Sequence, residues 1–189
     1  MDTRTTENRP LRRRTALNGK ANNAFLIYIG IFVAVVLLGY GATLLARPAP
    51  QGTDASVAYA IQGRTHIAND AVHPPYNSNP PSSGWHYVQP ARGGFYDTPL
   101  ADETVIHNLE HGDIWIAYRP DISDEAQSSL KRFANQYVVI SPRQENEGDI
   151  SLVSWGRVDT FNLENGTVDE TRIRNFIRQY DNRGPERLR

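Results

Sequence analysis

The sequence contains no cysteine, and its single methionine is Met1. Disulfides, thiolate metal sites and a cysteine nucleophile are therefore excluded, and so is the thiolate or thioether cage that Cu(I) prefers. A strong net charge is missing too. The formal balance is -1 over 189 residues, which by itself points to no polyanion, and no nucleic-acid partner is expected. Histidine is absent from residues 1–65 and 112–189, so all five lie between His66 and His111.

The charge that is present sits unevenly. Arg4, Arg9, Arg12, Arg13, Arg14 and Lys20 outweigh Asp2 and Glu7 in residues 1–24, a net +4 that leaves -5 for the remainder. Phe25 to Ala46 then runs for twenty-two residues without a charge. A helix of about 20 apolar residues, rising about 1.5 Å per residue, crosses a hydrocarbon layer of about 30 Å. The stretch exceeds the apolar region of a signal peptide, about 7 to 15 residues, and Leu44-Leu-Ala-Arg-Pro-Ala-Pro is a poor cleavage site. The expectation is an uncleaved, single-pass cell-membrane protein with its N-terminus in the cytoplasm and its domain outside. Its parts are a cytoplasmic basic tail at 1–24, a transmembrane helix at 25–46, a proline-bearing linker at 47–56, an extracytoplasmic domain at 57–186 and a tail at 187–189.

Val57, Tyr59 and Ile61 alternate weakly, as in a first strand. From Asn69 to Tyr96, Pro74, Pro75, Pro80, Pro81 and Pro90 remove amide donors, which argues against regular structure. Tyr76, Trp85, Tyr87, Phe95 and Tyr96 give this segment enough apolar surface to pack, so an ordered loop is expected. Asp102 is placed to cap a short helix ending at His111, with Gly112 as its left-handed stop. Asp113 to Tyr118 reads as a strand buried on both faces. Ser123 caps a helix through Ala126, Leu130 and Phe133. Tyr137–Ile140 and Ile150–Trp155 read as strands joined in a hairpin around Glu147-Gly148-Asp149. Thr167 and Glu170 form a capping box for a last helix with Ile173, Phe176, Ile177 and Tyr180 on one face, ended by Gly184 and Pro185. The order implies an α/β fold, with α+β as the alternative: a small mixed sheet, one parallel crossover, packed helices and a long ordered loop of prolines, glycines and aromatics. Thioredoxin-like folds share that order, but their redox chemistry is excluded here.

His107 and His111 are four residues apart, so a helix sets both on one face, with Cβ atoms about 5–6 Å apart. Two imidazoles so placed can reach one divalent ion, Zn or Cu(II), with His86, His73, His66 or Glu110 supplying further donors. The metal set singled out is His86, His107, His111 and His73. His-x-x-Glu-His also matches an inverted zinc-protease signature with Glu110 as base, but Gly112 follows at once and no distant helix offers a third ligand. Glu110 is thus a low-ranking catalytic candidate, and whether the protein is an enzyme is left open. The plain alternative makes His111 a helix C-terminal cation and His107 a packed core residue.

In the loop, Tyr76, Asn77, Asn79, Trp85 and Tyr87 are the candidate ligand-binding residues, the asparagines as polar groups and the aromatics as an apolar wall. Asn and Ser also stabilise turns locally, so a rigid turn is the simpler reading.

Pro75-Tyr-Asn-Ser-Asn-Pro-Pro-Ser-Ser-Gly-Trp-His-Tyr87, His107-Asn-Leu-Glu-His-Gly112 and Gly184-Pro-Glu186 together resemble the bacterial family called domain of unknown function 3105, over roughly residues 60 to 186. Trp85 stands where the resemblance implies a proline in many relatives. The resemblance implies a single-pass protein with its domain outside the cytoplasm and implies no reaction. The expected function is a membrane-anchored domain that binds a ligand or a divalent metal. The alternative is an accessory subunit that docks on a membrane-protein partner, its histidines structural and its cofactors none.

Overall fold

The computed structural model describes the backbone of residues 18–45 and 54–189, and the side chains of 25–40 and 54–189. The basic tail therefore falls largely outside the described residues, as does most of the linker. Helix α1, Asn18–Leu45, belongs to one compact unit, and Pro50–Arg189 forms a second. Every described side chain from Phe25 to Tyr40 is exposed. Among the described residues no helix is long and apolar enough to cross a membrane, so the spanning helix expected at 25–46 is not carried by them.

The second unit is organised by its most apolar strand. The short strands β1 (Val57–Ala58), β2 (His66–Ile67), β3 (His86–Tyr87) and β4 (Gly94–Phe95) precede helix α2 (Asp102–Glu110), strand β5 (Ile114–Tyr118) and helix α3 (Asp124–Lys131). Strands β6 (Val138–Pro142), β7 (Ile150–Ser154) and β8 (Arg157–Phe161) and helix α4 (Glu170–Tyr180) follow. Six strands form one sheet in the order β1-β8-β7-β5-β6-β4, and β2 and β3 pair separately. β5 is buried at all five positions. Because side chains alternate along a strand, Ile114, Ile116 and Tyr118 pack with Ala126 and Leu130 of α3 and with Ile173 and Phe176 of α4. Trp115 and Ala117 face the other way, against Val105 and Leu109 of α2. Each such side chain removed from water contributes roughly 1.5–3 kcal/mol, which is why β5 lies inside the sheet and the two-residue strands lie at its edges.

The mixed sheet with packed helices is the expected α/β class, and β5, α3 and β6 form the expected parallel crossover. The expected hairpin does not form between β6 and β7. β5 lies between them, parallel to β6 and antiparallel to β7, and the true hairpin is β7 with β8 around Gly156. β8 escapes a pattern reading because Arg157, Asp159 and Thr160 dilute its apolar positions, Asp159 being buried against Arg172. Ser123 caps α3 by accepting from Ala126 N at 3.2 Å, as expected. The other two caps differ. Ala101, without a side-chain cap, precedes α2, and Asp102 instead receives Arg143. Asp169, not Thr167, caps α4, accepting from Arg172 N at 2.9 Å.

The 69–96 loop is ordered and packed, with residues 80–84 buried. Ahead of it, the chain entering the domain is stitched to the sheet edge. Val57 and Ala58 pair with Val158 and Arg157, Tyr59 N donates to Gly156 O at 3.0 Å, and the Ser56 hydroxyl meets Tyr180 Oη at 2.9 Å.

Candidate metal centre

Two segments of unlike structure bring the histidines together. β2 and β3 pair in parallel with His66 opposite His86, so both rings leave the same face and lie edge to face, centroids 4.8 Å apart. α2 supplies the opposite wall. Its Val105 and Leu109 are buried against the sheet, and His107, Glu110 and His111, at positions i, i+3 and i+4, turn toward β3. The His107 ring is 4.9 Å from that of His66, 5.1 Å from that of His86 and 4.5 Å from that of His111.

Hydrogen bonds fix which nitrogens face inward. A backbone carbonyl only accepts, so His86 Nδ1 donates to Gly84 O at 2.8 Å and His107 Nδ1 donates to Tyr87 O at 2.7 Å. Both rings are thereby held with Nε2 turned into the cluster, the arrangement that carbonyl partners impose on metal-binding imidazoles. One donor atom from each of His66, His86 and His107 lies within 4.8 Å of the others. Burial, the largest influence, pushes the His107 imidazole below its ordinary value, and the charges of His111, His86 and His66 act in the same direction against its bond to Tyr87 O. A neutral ring keeps its lone pair for a ligand.

Glu110 is the cluster's carboxylate. Its Oε2 lies 2.9 Å from His86 Nε2, both side chains being almost fully buried, and 3.9 Å from His66 Nε2. Arg64 Nε stands 3.7 Å from Oε1. Since His86 Nδ1 already carries a proton, the short contact from Nε2 to the carboxyl also needs one, held on either partner. An ion could replace that proton. Donors bonded at about 2.0–2.2 Å to one ion lie about 3–3.5 Å apart, close to the separations of His86 from Glu110 and of His107 Nε2 from His111 Nε2, the latter 3.1 Å. His66, with its side chain 45% exposed, is the one member of the trio open to solvent.

Not every expected residue joins this group. His73 lies apart: Nδ1 donates to Pro74 O at 2.8 Å, Nε2 meets Glu103 Oε1 at 3.1 Å, and the ring stacks on Trp85. His66 takes the place expected of His73, because the parallel β2–β3 pairing joins residues twenty apart, which no local pattern announces. Arg64 likewise lies outside the expected set.

The five loop residues expected to bind a ligand make internal bonds. Tyr76 Oη donates to Trp85 O at 2.6 Å, and Asn77 Nδ2 donates to Ala60 O at 2.7 Å. Asn79 Nδ2 donates to Glu145 O at 2.8 Å while its Oδ1 accepts from Arg143 Nη1 at 2.6 Å. Tyr87 contributes its carbonyl to His107 and its hydroxyl to Asp70 N. These contacts fit a rigid turn that presents His86. Asn108, inside the histidine motif, also secures the loop. Its amide exchanges two bonds with the backbone of Ala91, both 2.9 Å, and pins that segment to α2.

No curated protein and no solved structure matches the chain. The family model described as "Protein of unknown function (DUF3105)" matches residues 67–189, beginning one residue after His66 and taking in His86, His107, Glu110 and His111, and this chain belongs to that family.

Proposed function

We propose that the protein binds a divalent metal ion of the Zn or Cu(II) class through His66, His86 and His107, with Glu110 and His111 beside them, on a domain held at the outer face of a membrane. The observation that carries the metal reading is the pair of carbonyl tethers on His86 and His107, which turn their Nε2 atoms toward Glu110 and His111 within a group that His66 completes. Nitrogen and oxygen donors without sulfur suit these borderline ions. The anchor is supported by the uncharged run from Phe25 to Ala46 and its basic flank, the sequence pattern of a single span with its positive end inside. In a hydrolytic variant of this reading Glu110 is the proton acceptor, since its carboxylate is already at the cluster.

The full chain, extracted from membranes in detergent, should retain stoichiometric metal by elemental analysis or take up Zn or Cu(II) with a rise in unfolding temperature. A His86→Ala/His107→Ala double variant should do neither. A wild-type protein that isolates metal-free and does not respond to either ion removes the proposal, and recovery in the soluble fraction removes the anchor.

A further inference from the structure

The helix that carries His107, Glu110 and His111 ends in a turn which a distant part of the chain completes. Gly112, at φ +91, forms a Schellman stop: Asp113 N donates to Asn108 O at 2.9 Å and Gly112 N to Leu109 O at 3.0 Å. That turn leaves the carbonyls of Glu110 and Gly112 without partners of their own. The segment following α4 supplies them. Glu186 N donates to Glu110 O at 3.0 Å, and Asn182 N donates to Gly112 O at 2.8 Å.

The approach is so close that neither strand of the contact tolerates a side chain. A Cβ on Gly184 would stand 2.2 Å from Glu110 O and 2.4 Å from Gly112 N, and one on Gly112 would stand 2.9 Å from Asn182 Cα. Gly184 thus lets two backbones meet, the exposed Pro185 follows without a donor to satisfy, and Glu186 delivers the amide hydrogen. Arg189 adds a bond to Gly112 O and lies over the Tyr137 ring.

We infer that the Gly184-Pro185-Glu186 segment is a positioning element for the histidine cluster, holding the backbone of Glu110 so that its carboxyl meets His86 and its neighbours His107 and His111 keep their mutual spacing. The relevant group of Glu186 is its N–H and not its carboxylate, since the side chain is exposed. The inference extends the metal reading but concerns the geometry of the cluster whether or not an ion is bound.

The decisive comparison is Glu186→Pro, which removes the amide hydrogen, with Glu186→Ala, which keeps it and removes only the carboxylate. In the full chain, Glu186→Pro should weaken Cu(II) or Co(II) binding about ten- to a hundredfold, the usual effect of losing an outer partner of a ligand, and should alter the ion's visible spectrum. Glu186→Ala should match wild type in both. In the metal-free protein, the imidazole nitrogen resonances of His86, His107 and His111 should move in Glu186→Pro and stay in place in Glu186→Ala. Gly184→Ala, whose methyl displaces the turn, should behave like Glu186→Pro. A wild type that binds no ion counts against the metal reading alone, and the nitrogen resonances then decide the positioning role. Unchanged resonances in Glu186→Pro, or equal changes in both Glu186 variants, overturn it. Failure of both Glu186→Pro and Gly184→Ala to fold, with Glu186→Ala intact, assigns the segment a folding role and overturns it as well.

Discussion

His107 and His111 stand one helical turn apart with their Nε2 atoms 3.1 Å from each other. They are not equivalent. His107 is buried, tethered to Tyr87 O and within the His66/His86 group, whereas His111 meets that group through the His107 ring. His107→Ala should therefore reduce Zn affinity at least about a hundredfold and His111→Ala about tenfold, following the scale for losing a ligand or its supporting partner. Competition against a coloured chelator measures both. Equal losses, or a larger loss at His111, would show that the ion sits elsewhere.

Glu110→Ala should destabilise the metal-free protein by about 1–3 kcal/mol, because it leaves His86 Nε2 fully buried without a partner. Glu110→Gln should cost less, since the amide can donate to that nitrogen while His86 keeps its proton on Nδ1. Urea unfolding in the presence of chelator tests the order of the two. If Gln is the more damaging substitution, the contact depends on a charged pair and not on a shared hydrogen.

His73 carries a pH dependence of its own, outside the cluster. Its bond to Pro74 O, and after it the bond and charge of Glu103, raise the imidazole above its ordinary 6.5 in spite of burial. A histidine whose folded value is raised adds stability that is fully present below 6.5 and disappears as pH rises through the folded value. Wild type should thus exceed His73→Gln in stability by more at about pH 6 than at about pH 9, with a margin of about 0.2–1 kcal/mol as for partly exposed ion pairs. Thermal unfolding across that range is the measurement, and a margin that grows with pH contradicts the assignment.

Arg143 ties the loop to α2 and the sheet. Its Nε and Nη2 bond both oxygens of Asp102 at 2.9 and 2.8 Å, and Nη1 reaches Asn79 Oδ1. Arg143→Met should cost about 2–4 kcal/mol by leaving the Asp102 carboxylate and the Asn79 amide oxygen unpaired. Lysine should recover little, because an ammonium cannot reproduce the two parallel bonds. Metal affinity of the folded variants should hold, since Arg143 bonds Asp102, Asn79 and Asn146, all outside the histidine cluster. Loss of affinity at unchanged stability would be the contrary result.

How far the sequence discloses this arrangement depends on how local each signal is. β5 is legible because Ile114 to Tyr118 is apolar at every position, and α3 because Ser123 stands at the right offset from Ala126. His107, Glu110 and His111 are legible as one helix face for the same reason. The parallel pairing of His66 with His86 is not, since it depends on a route through the loop and not on spacing. β6 and β7 look like hairpin partners because they are consecutive, yet β5 offers each a better apolar surface. Asp102 has the side chain of a cap and is drawn to Arg143, forty-one residues on. Asn77 and Asn79 are chemically suited to a ligand, but backbone carbonyls and Arg143 claim them first.

The place where the chain enters its folded domain determines what a pull from that side would do. β1 runs antiparallel along β8, and Ser56 is fastened to Tyr180 on α4. Tension arriving from the residues ahead would load that rim in shear and pass into α4 and the Gly156 turn. The same turn reaches the histidines, since Gly156 N donates to Ser82 O at 2.9 Å and Trp155 lies edge to face with His86, so a tug on the attachment is felt by the loop that carries His86.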